Sequence, residues 1–352
     1  MRIGLYGLPT AGKSYVLNAV RNLEVLSGSI LLKEIAPDFH DLTEEAKAAA
    51  RIKLAKELEK KDKFIMDGHY SFGDNVVFTE ADGKLYDVFL YLYVDPEIIT
   101  ARMKDSIRNN KYLAYDVDSW QKFEIESLRN YCHLNNKDFY VIDNPTKGFF
   151  PDISMVLEFI DSIVCGYSCV NYARKVATSI TACDVISLID GDRTFIEEDS
   201  SAALGYRTHT FDGNFYSGFQ AWRHNREQAD YLRFIDYQGK TLDELNITVN
   251  SKVIEKAEGT RIILTTGHYG TWKQIADKYN MPLYYGPKMC SDTKYFITKF
   301  IQDRGMKVIA FGDSMNDYYM LRQADKSYLI LKKDGRISSS FGDKELEGFV
   351  FV

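Results

Sequence analysis

The chain contains no apolar run approaching the roughly 20 residues that span a bilayer, so its 352 residues carry no membrane signature. Cysteine is scarce and odd in number: Cys132, Cys165, Cys169, Cys183 and Cys290. No CxxC pair and no histidine partner at zinc spacing accompanies them, so they read as reduced core thiols. The one close spacing, Cys165 and Cys169, would put two small hydrophobes on one helix face and supplies too few ligands for a metal. A surplus of positive charge is also missing. Residues 1–165 hold 20 Lys and Arg against 26 Asp and Glu, the remainder 24 against 24, and the net charge is -6. Long polyanions call for a basic surplus, so the balance favours small phosphorylated substrates over long nucleic acid. The opening MRIGLYGLPTAGKS runs straight into a strand and a Gly-rich loop, with no charged n-region, h-region or cleavage site, which predicts a cytoplasmic location.

What is there is enough chain for two domains, since single cores rarely grow far beyond about 150 to 200 residues. The first half alternates strand and helix. Strands are expected at Met1 to Tyr6, Ile30 to Ile35, Lys63 to Met66, Val88 to Val94 and Phe139 to Ile142. Helices are expected at Lys13 to Val25, Thr43 to Lys60, Pro96 to Ile107, Ser119 to Asn135 and Asp152 to Ile163. Gly166 to Thr181 lacks the Pro, Gly and Ser of a flexible linker and predicts a short helical connection, 166–183. From Asp184 the pattern restarts with VISLID, RIILTTG, MPLYYG, KVIAFGD, SYLIL and FVFV, interrupted by a polar and aromatic insertion over about 197–258. Apolar strands ending in polar residues are expected of buried parallel strands with a site at their C-terminal edge. The fold class is therefore α/β, two doubly wound parallel-sheet domains in tandem, 1–165 and 184–352.

Gly7-Leu8-Pro9-Thr10-Ala11-Gly12-Lys13-Ser14 fits GxxxxGK[ST] between a strand and a helix. Glycines let backbone amides curl around a β-phosphate, and the helix start adds its positive end. Lys13 brings a cation to the β/γ oxygens and Ser14 a hydroxyl for Mg²⁺; Gly7, Gly12 and Tyr15 complete the expected nucleotide contacts. Asp67 ends the next apolar strand in KFIMDGHYSF, where it could hold the Mg²⁺ shell, orient an acceptor, or simply make a turn. His69 fits a neutral histidine beside phosphate as well as a structural one. Arg102 and Arg108, flanking Asp105, could close as a lid over the transferring group, although alone they read as a solvated helix; Arg129 in IESLRNYC has the same standing.

Taken with DGHYSF, YLYVDPEIITARMKDSIRNN, IESLRNYC and FYVID, this loop resembles the archaeal-type adenylate kinases and their nucleoside and nucleotide kinase relatives over about residues 1–165. The resemblance implies a P-loop kinase fold, an ATP donor, a small acceptor held between the loop after the first helix and the arginine lid, and in-line transfer. Where those kinases typically carry Asp-Thr-His this chain has DGHY, a departure on the acceptor side.

In the second half, Asp190-Gly191-Asp192-Arg193-Thr194 fits DxDx[TV] at a strand end. One carboxylate can attack phosphorus while the other serves as acid and then base; Asp192 must be protonated as the leaving group departs, which requires a raised pKa. Three further signals follow in order. Thr266 and Gly267 end RIILTTG and offer a hydroxyl and an amide to the phosphoryl group. Lys294 opens a helix and can neutralise the phosphorane, with Lys288 in YGPKM as its rival. Asp313 and Asp317 in FGDSMND would, respectively, complete the Mg²⁺ ligands with Asp190 and Asp192 and hold Lys294.

These four signals resemble the haloacid-dehalogenase-type phosphatases, and the GDSMND form with an insertion after the first motif looks most like the phosphoserine-phosphatase branch, over about 184–345. The resemblance implies a Rossmann-like fold with a helical cap insertion, an aspartyl-phosphate intermediate and Mg²⁺. Rings and cations interleave in the insertion, among them Tyr206, Phe211, Phe215, Tyr216, Phe219 and Trp222 with Arg207, His209, Arg223, His224 and Arg226. Most of the rings are expected in a small cap core, with Arg207 and Arg223 as candidate substrate contacts. The combined expectation is a bifunctional kinase and phosphomonoesterase using ATP and Mg²⁺ on small phosphorylated metabolites or nucleotides. Two alternatives stay open: polynucleotide end healing, and an ATP-sensing module fused to a phosphatase. Neither substrate nor the oligomeric state is legible.

Overall fold

The computed structural model describes residues 1–143, 153–205, 211, 215–226 and 240–352. Two compact units divide the chain, Met1–Tyr167 and Ser168–Val352. No single helix among the described residues is long and apolar enough to cross a membrane.

The first unit is built on a five-stranded sheet of β1 (Arg2–Tyr6), β2 (Glu24–Ser27), β3 (Phe64–Asp67), β6 (Val88–Tyr93) and β7 (Asp138–Asp143). The order is β2-β3-β1-β6-β7, parallel throughout, with β4 (Ser71–Phe72) and β5 (Asn75–Val76) forming a separate hairpin. β1 lies between β3 and β6, so the chain reverses its direction of travel across the sheet beside β1, and the loop after β1 opens into the crevice this creates. The segment 30–35, expected as a strand, is instead part of a helix, Gly28–Ile35, and the strand is β2 just before it. Short apolar runs fit either element; here the residue before Pro37, Ala36, is extended and ends the helix. The helix Glu44–Leu58 starts where Thr43 Oγ1 accepts from the Ala46 amide at 3.3 Å.

The second unit carries a six-stranded parallel sheet of β8 (Val185–Asp190), β9 (Thr260–Thr265), β10 (Leu283–Tyr285), β11 (Lys307–Gly312), β12 (Lys326–Leu329) and β13 (Val350–Phe351), in the order β10-β9-β8-β11-β12-β13. Strand alternation sends side chains to two cores. Ile186, Leu188, Ile262, Leu264, Val308 and Ala310 pack on one face under the helices Cys169–Ser179 and Ser291–Gln302. Ile189, Ile263, Ile309 and Phe311 pack on the other with Val253, Trp272 and Ile275. Covered on both faces, the strands tolerate few polar residues except at their ends. The helix Cys169–Ser179 falls in the segment expected as a connection, yet Val170, Ala173, Val176 and Ala177 make it part of this unit's core.

The insertion leaves and returns at one place: Ile196 bridges Val249 antiparallel and the Asn250 amide donates to Phe195 O at 2.8 Å. Its described parts include the helix Ser200–Ala203 and a helical stretch over 218–226.

Candidate active sites

In the first unit the strand β1 hands the chain to the loop Gly7–Gly12, and the helix Lys13–Ala19 begins there. Gly12 stands at φ 98°, a left-handed conformation that glycine adopts without strain, and it turns the loop into the helix. The amides of Lys13 and Ser14 make no backbone hydrogen bond among the described residues, as expected of a first helical turn. Lys13 is buried and its Nζ donates to Gly7 O at 2.5 Å and Leu8 O at 3.1 Å. Desolvation lowers its pKa to about 8, opposed by the charges of Glu124 and Asp67. Arg102 Nη1 donates to Thr10 O at 3.1 Å, so the arginine of the helix Pro96–Lys104 reaches the loop. Ser14 and Tyr15 are exposed at the helix start.

Asp67, at the end of β3, accepts from the Gly28 amide at 3.0 Å. His69, two residues on, has its Nδ1 buried with no hydrogen-bond partner. Its pKa is held well below the ordinary value, first by burial and then by the charges of Lys13, Arg108 and Arg51, so it is neutral. Arg51 went unnoticed in the sequence, where it is one cation in a charged helix; in the fold it is half-buried, 5.3 Å from the Phe39 ring. Glu124 was missed as well. It is fully buried, accepts from the Ser71 amide at 2.9 Å, Ser71 Oγ at 2.8 Å and Tyr91 OH at 2.9 Å, and its pKa is raised by desolvation. Its sequence signal was an acid on the face that also carries Trp120, Gln121, Ile125 and Leu128.

Arg129, expected with the substrate contacts, is elsewhere. Its guanidinium lies 5.6 Å from the ring of Phe139, near the start of β7, and pairs with Glu126 at 3.4 Å. The loop after β1 lies at the opposite end of these parallel strands, so this arginine packs the helix Val117–Asn135 on the sheet rather than serving the loop.

In the second unit, three strand ends bring together Asp190, Thr265 and Asp313. Lys294 is fully buried and its Nζ donates to Asp190 Oδ1 at 2.5 Å and Asp317 Oδ1 at 2.6 Å. These two carboxylates raise its pKa against the opposing effect of burial. Lys288, the rival, sits before the helix Ser291–Gln302, and its carbonyl accepts from Thr293 Oγ1. Asp317 Oδ2 accepts from the amides of Asp313 and Ser314 at 3.2 and 3.3 Å. Carboxylate oxygens of Asp190, Asp313 and Asp317 lie within 4.8 Å of one another. Burial and mutual repulsion push the Asp190 and Asp313 carboxyls up. A group of hard oxygens with excess negative charge fits a divalent cation such as Mg²⁺.

Asp192 Oδ1 accepts from the Ser200 amide at 2.7 Å, and burial followed by the charge of Asp199 raises its pKa to about 6. Asp190 and Asp192 flank Gly191, and Arg193, next in the chain, stands at φ 58° and pairs with Asp199 at 2.6 Å. Of the two threonines, the exposed one is Thr266; Thr265 is buried, and its Oγ1 accepts from the Gly267 amide at 2.9 Å. A Cβ on Gly191 would stand 2.5 Å from Thr265 Oγ1, so Thr265 borders the first motif.

Within the insertion, Arg223 is buried with its guanidinium 5.7 Å from the Phe219 ring, and Arg207 lies outside the described residues. Tyr216 was overlooked as more than an aromatic. It stands at φ 50°, its carbonyl accepts from the Ser291 amide at 3.2 Å and Ser291 Oγ at 2.8 Å, and its phenol, hydrogen-bonded by Ser340, feels the charges of Asp313 and Asp317. Cys169 pairs not with Cys165, which is exposed, but with Cys290, the sulfurs 3.8 Å apart.

No family model and no curated protein matches the chain. Among solved structures, it is similar to a shikimate kinase from Acinetobacter baumannii in complex with shikimate, at 14% identity and a TM-score of 0.33, over 47% of this chain and 92% of that one. It is also similar to the YorR protein from Bacillus subtilis in complex with phosphorylated GDP, at 18% identity and a TM-score of 0.33, over 48% of this chain and 99% of that one.

Proposed function

We propose that the chain is a bifunctional phosphoryl-transfer enzyme. Its first unit phosphorylates a small metabolite or nucleotide with ATP, and its second hydrolyses a phosphomonoester with Mg²⁺ through an aspartyl-phosphate. The observation that carries the second activity is Lys294 held between Asp190 and Asp317 with Asp313 alongside. Asp190 is the nucleophile: its free oxygen attacks phosphorus, the P–O bond to the leaving group breaks, and Asp192 gives that oxygen its proton. Asp192 then takes a proton from the water that cleaves the acyl phosphate and restores Asp190. A carboxyl with a pKa of about 6 suits both directions of transfer. Lys294 and the Thr265 hydroxyl, whose oxygen accepts from the Gly267 amide and leaves its own O–H to donate, hold phosphoryl oxygens, and Asp317 fixes Lys294. Asp190, Asp313 and the Asp192 carbonyl would hold Mg²⁺, which supplies charge neutralisation when bound.

For the first activity, Lys13, Ser14 and the loop amides receive the ATP phosphates, Arg102 closes on the loop, and Asp67 serves the Mg²⁺ shell or the acceptor. The cations Arg51 and Arg108 around neutral His69 favour an acceptor that carries an anionic group beside its hydroxyl. An acceptor and phosphomonoester screen with Mg²⁺, run on wild type, Lys13→Ala and Asp190→Asn, tests the assignment. Each substitution is expected to silence one activity and spare the other. Phosphate moved onto or off oligonucleotide ends at moderate salt would instead favour nucleic-acid repair, and a chain that consumes no ATP with any acceptor would favour a sensing module.

A further inference from the structure

The helix Tyr269–Tyr279 starts two residues beyond Gly267 and buries Trp272 completely. The indole lies against the first-motif turn, because a Cβ on Gly191 would stand 2.5 Å from its Cζ2 and 2.8 Å from its Cε2. Buried indole N–H groups normally find an acceptor. Trp272 Nε1 has none among the described residues. Its surroundings say where it is aimed. A Cβ on Gly267 would stand 2.3 Å from Trp272 Nε1, 2.3 Å from Asp192 Oδ2 and 2.8 Å from Ser200 Oγ. One small space, open only because residue 267 is glycine, thus brings an unpaired donor close to one oxygen of the Asp192 carboxyl. The other oxygen, Oδ1, is the one already held by the Ser200 amide at 2.7 Å.

We propose that Trp272 is a positioning residue for Asp192: its indole N–H hydrogen-bonds Oδ2 when the carboxyl turns to the substrate, leaving that oxygen's proton directed at the leaving group. Ser200 from the insertion side and Trp272 from the sheet side then hold the two oxygens of one acid. The inference rests on the phosphatase reading above. It differs from a packing role for Trp272 because it acts on proton delivery and not on the phosphoryl group.

Leaving-group dependence separates the two roles. p-Nitrophenolate departs with little protonation, whereas the benzyl alkoxide of benzyl phosphate needs a full proton. With Mg²⁺ and the full chain, Trp272→Phe is expected to lower kcat/KM for benzyl phosphate by about 10- to 100-fold, less than the roughly 10²- to 10⁴-fold of a whole general acid because Asp192 itself remains, and for p-nitrophenyl phosphate by less than about threefold. The ratio of the two values does not depend on how much of the variant is folded. Trp272→Leu, which also removes the indole N–H, is expected to change the ratio in the same direction and carries the test if Trp272→Phe does not fold. Equal losses on both esters, or no loss on either, overturn the role of Trp272 and leave the phosphatase reading standing. A wild-type chain that cleaves neither ester overturns the phosphatase reading, and the inference with it.

Discussion

Two buried lysines, one in each unit, face opposite electrostatic settings. Lys13 is surrounded by the carbonyls of Gly7 and Leu8 and has a pKa lowered to about 8. Lys294 is clasped by Asp190 and Asp317 and has a raised pKa. The first lysine is hydrogen-bonded to neutral carbonyls and makes no ion pair among the described residues, with Glu124 and Asp67 acting on it only through their charge, so its site suits an anion. The second is outnumbered by three carboxylates and suits a cation. A lysine alone therefore says little about a phosphate site; its counter-charges say whether the ligand or a metal must balance it.

That contrast can be broken most forcefully at the reacting groups. Asp190→Asn should lower phosphomonoesterase activity more than about 10⁴-fold, as expected for a lost nucleophile, with ATP-dependent transfer intact. Lys13→Ala should do the reverse, costing about 10²- to 10³-fold in transfer, the scale of one lost electrostatic contact to the transition state. Steady-state rates on the same preparations decide both.

Stability should discriminate next. Lys294→Met leaves Asp190 and Asp317 buried without their cation and should cost about 3–5 kcal/mol. Lys13→Met, which strips a desolvated charge from neutral partners, should cost less than about 1.5 kcal/mol. Urea unfolding of the full chain in EDTA measures both, and equal costs would erase the distinction. Between these two effects, saturating Mg²⁺ should raise the unfolding free energy by about 2.7 kcal/mol at a hundredfold excess over Kd. Asp313→Asn should abolish that gain and Lys13→Ala should keep it. The finest probe is the proton. At pH 8 about half of Lys13 is uncharged, and phosphate oxygens raise its pKa, so ATP binding should take up to about half a proton. At pH 6 the lysine is already charged and uptake should vanish, as it should at pH 8 in Lys13→Met. Calorimetry in buffers of different ionisation enthalpy reads the uptake.

Much of the second unit's sheet was legible in the sequence because parallel strands announce their ends: apart from Ser187 and their first residues, VISLID, RIILT and KVIAFG are apolar up to Asp190, Thr265 and the Gly312 that precedes Asp313. What was not legible depends on three-dimensional neighbours. Ile30 to Ile35 is apolar enough for a strand, and only the neighbouring β2 and Pro37 make it a helix. Thr265 and Thr266 are chemically identical, and the buried one is the last residue of β9. Arg129 shares a helix with Glu124, but five residues along a helix is more than a full turn and moves the side chain toward the other end of the sheet. Trp272 and Glu124 carry no signal of a role in the sequence because burial of their polar atoms has no one-dimensional trace.

The register of the central strands constrains how such a protein can change. Asp190 pairs with Leu264, and Ile189 with Phe311, so the crevice-facing ends of β8, β9 and β11 stop on neighbouring rungs of one ladder. Removing a single residue from any of these strands would swap its two faces and carry its terminal group away from the others. Length can therefore vary freely only beyond the rungs, and in the long detour between β8 and β9 only past Ser200, whose amide holds Asp192.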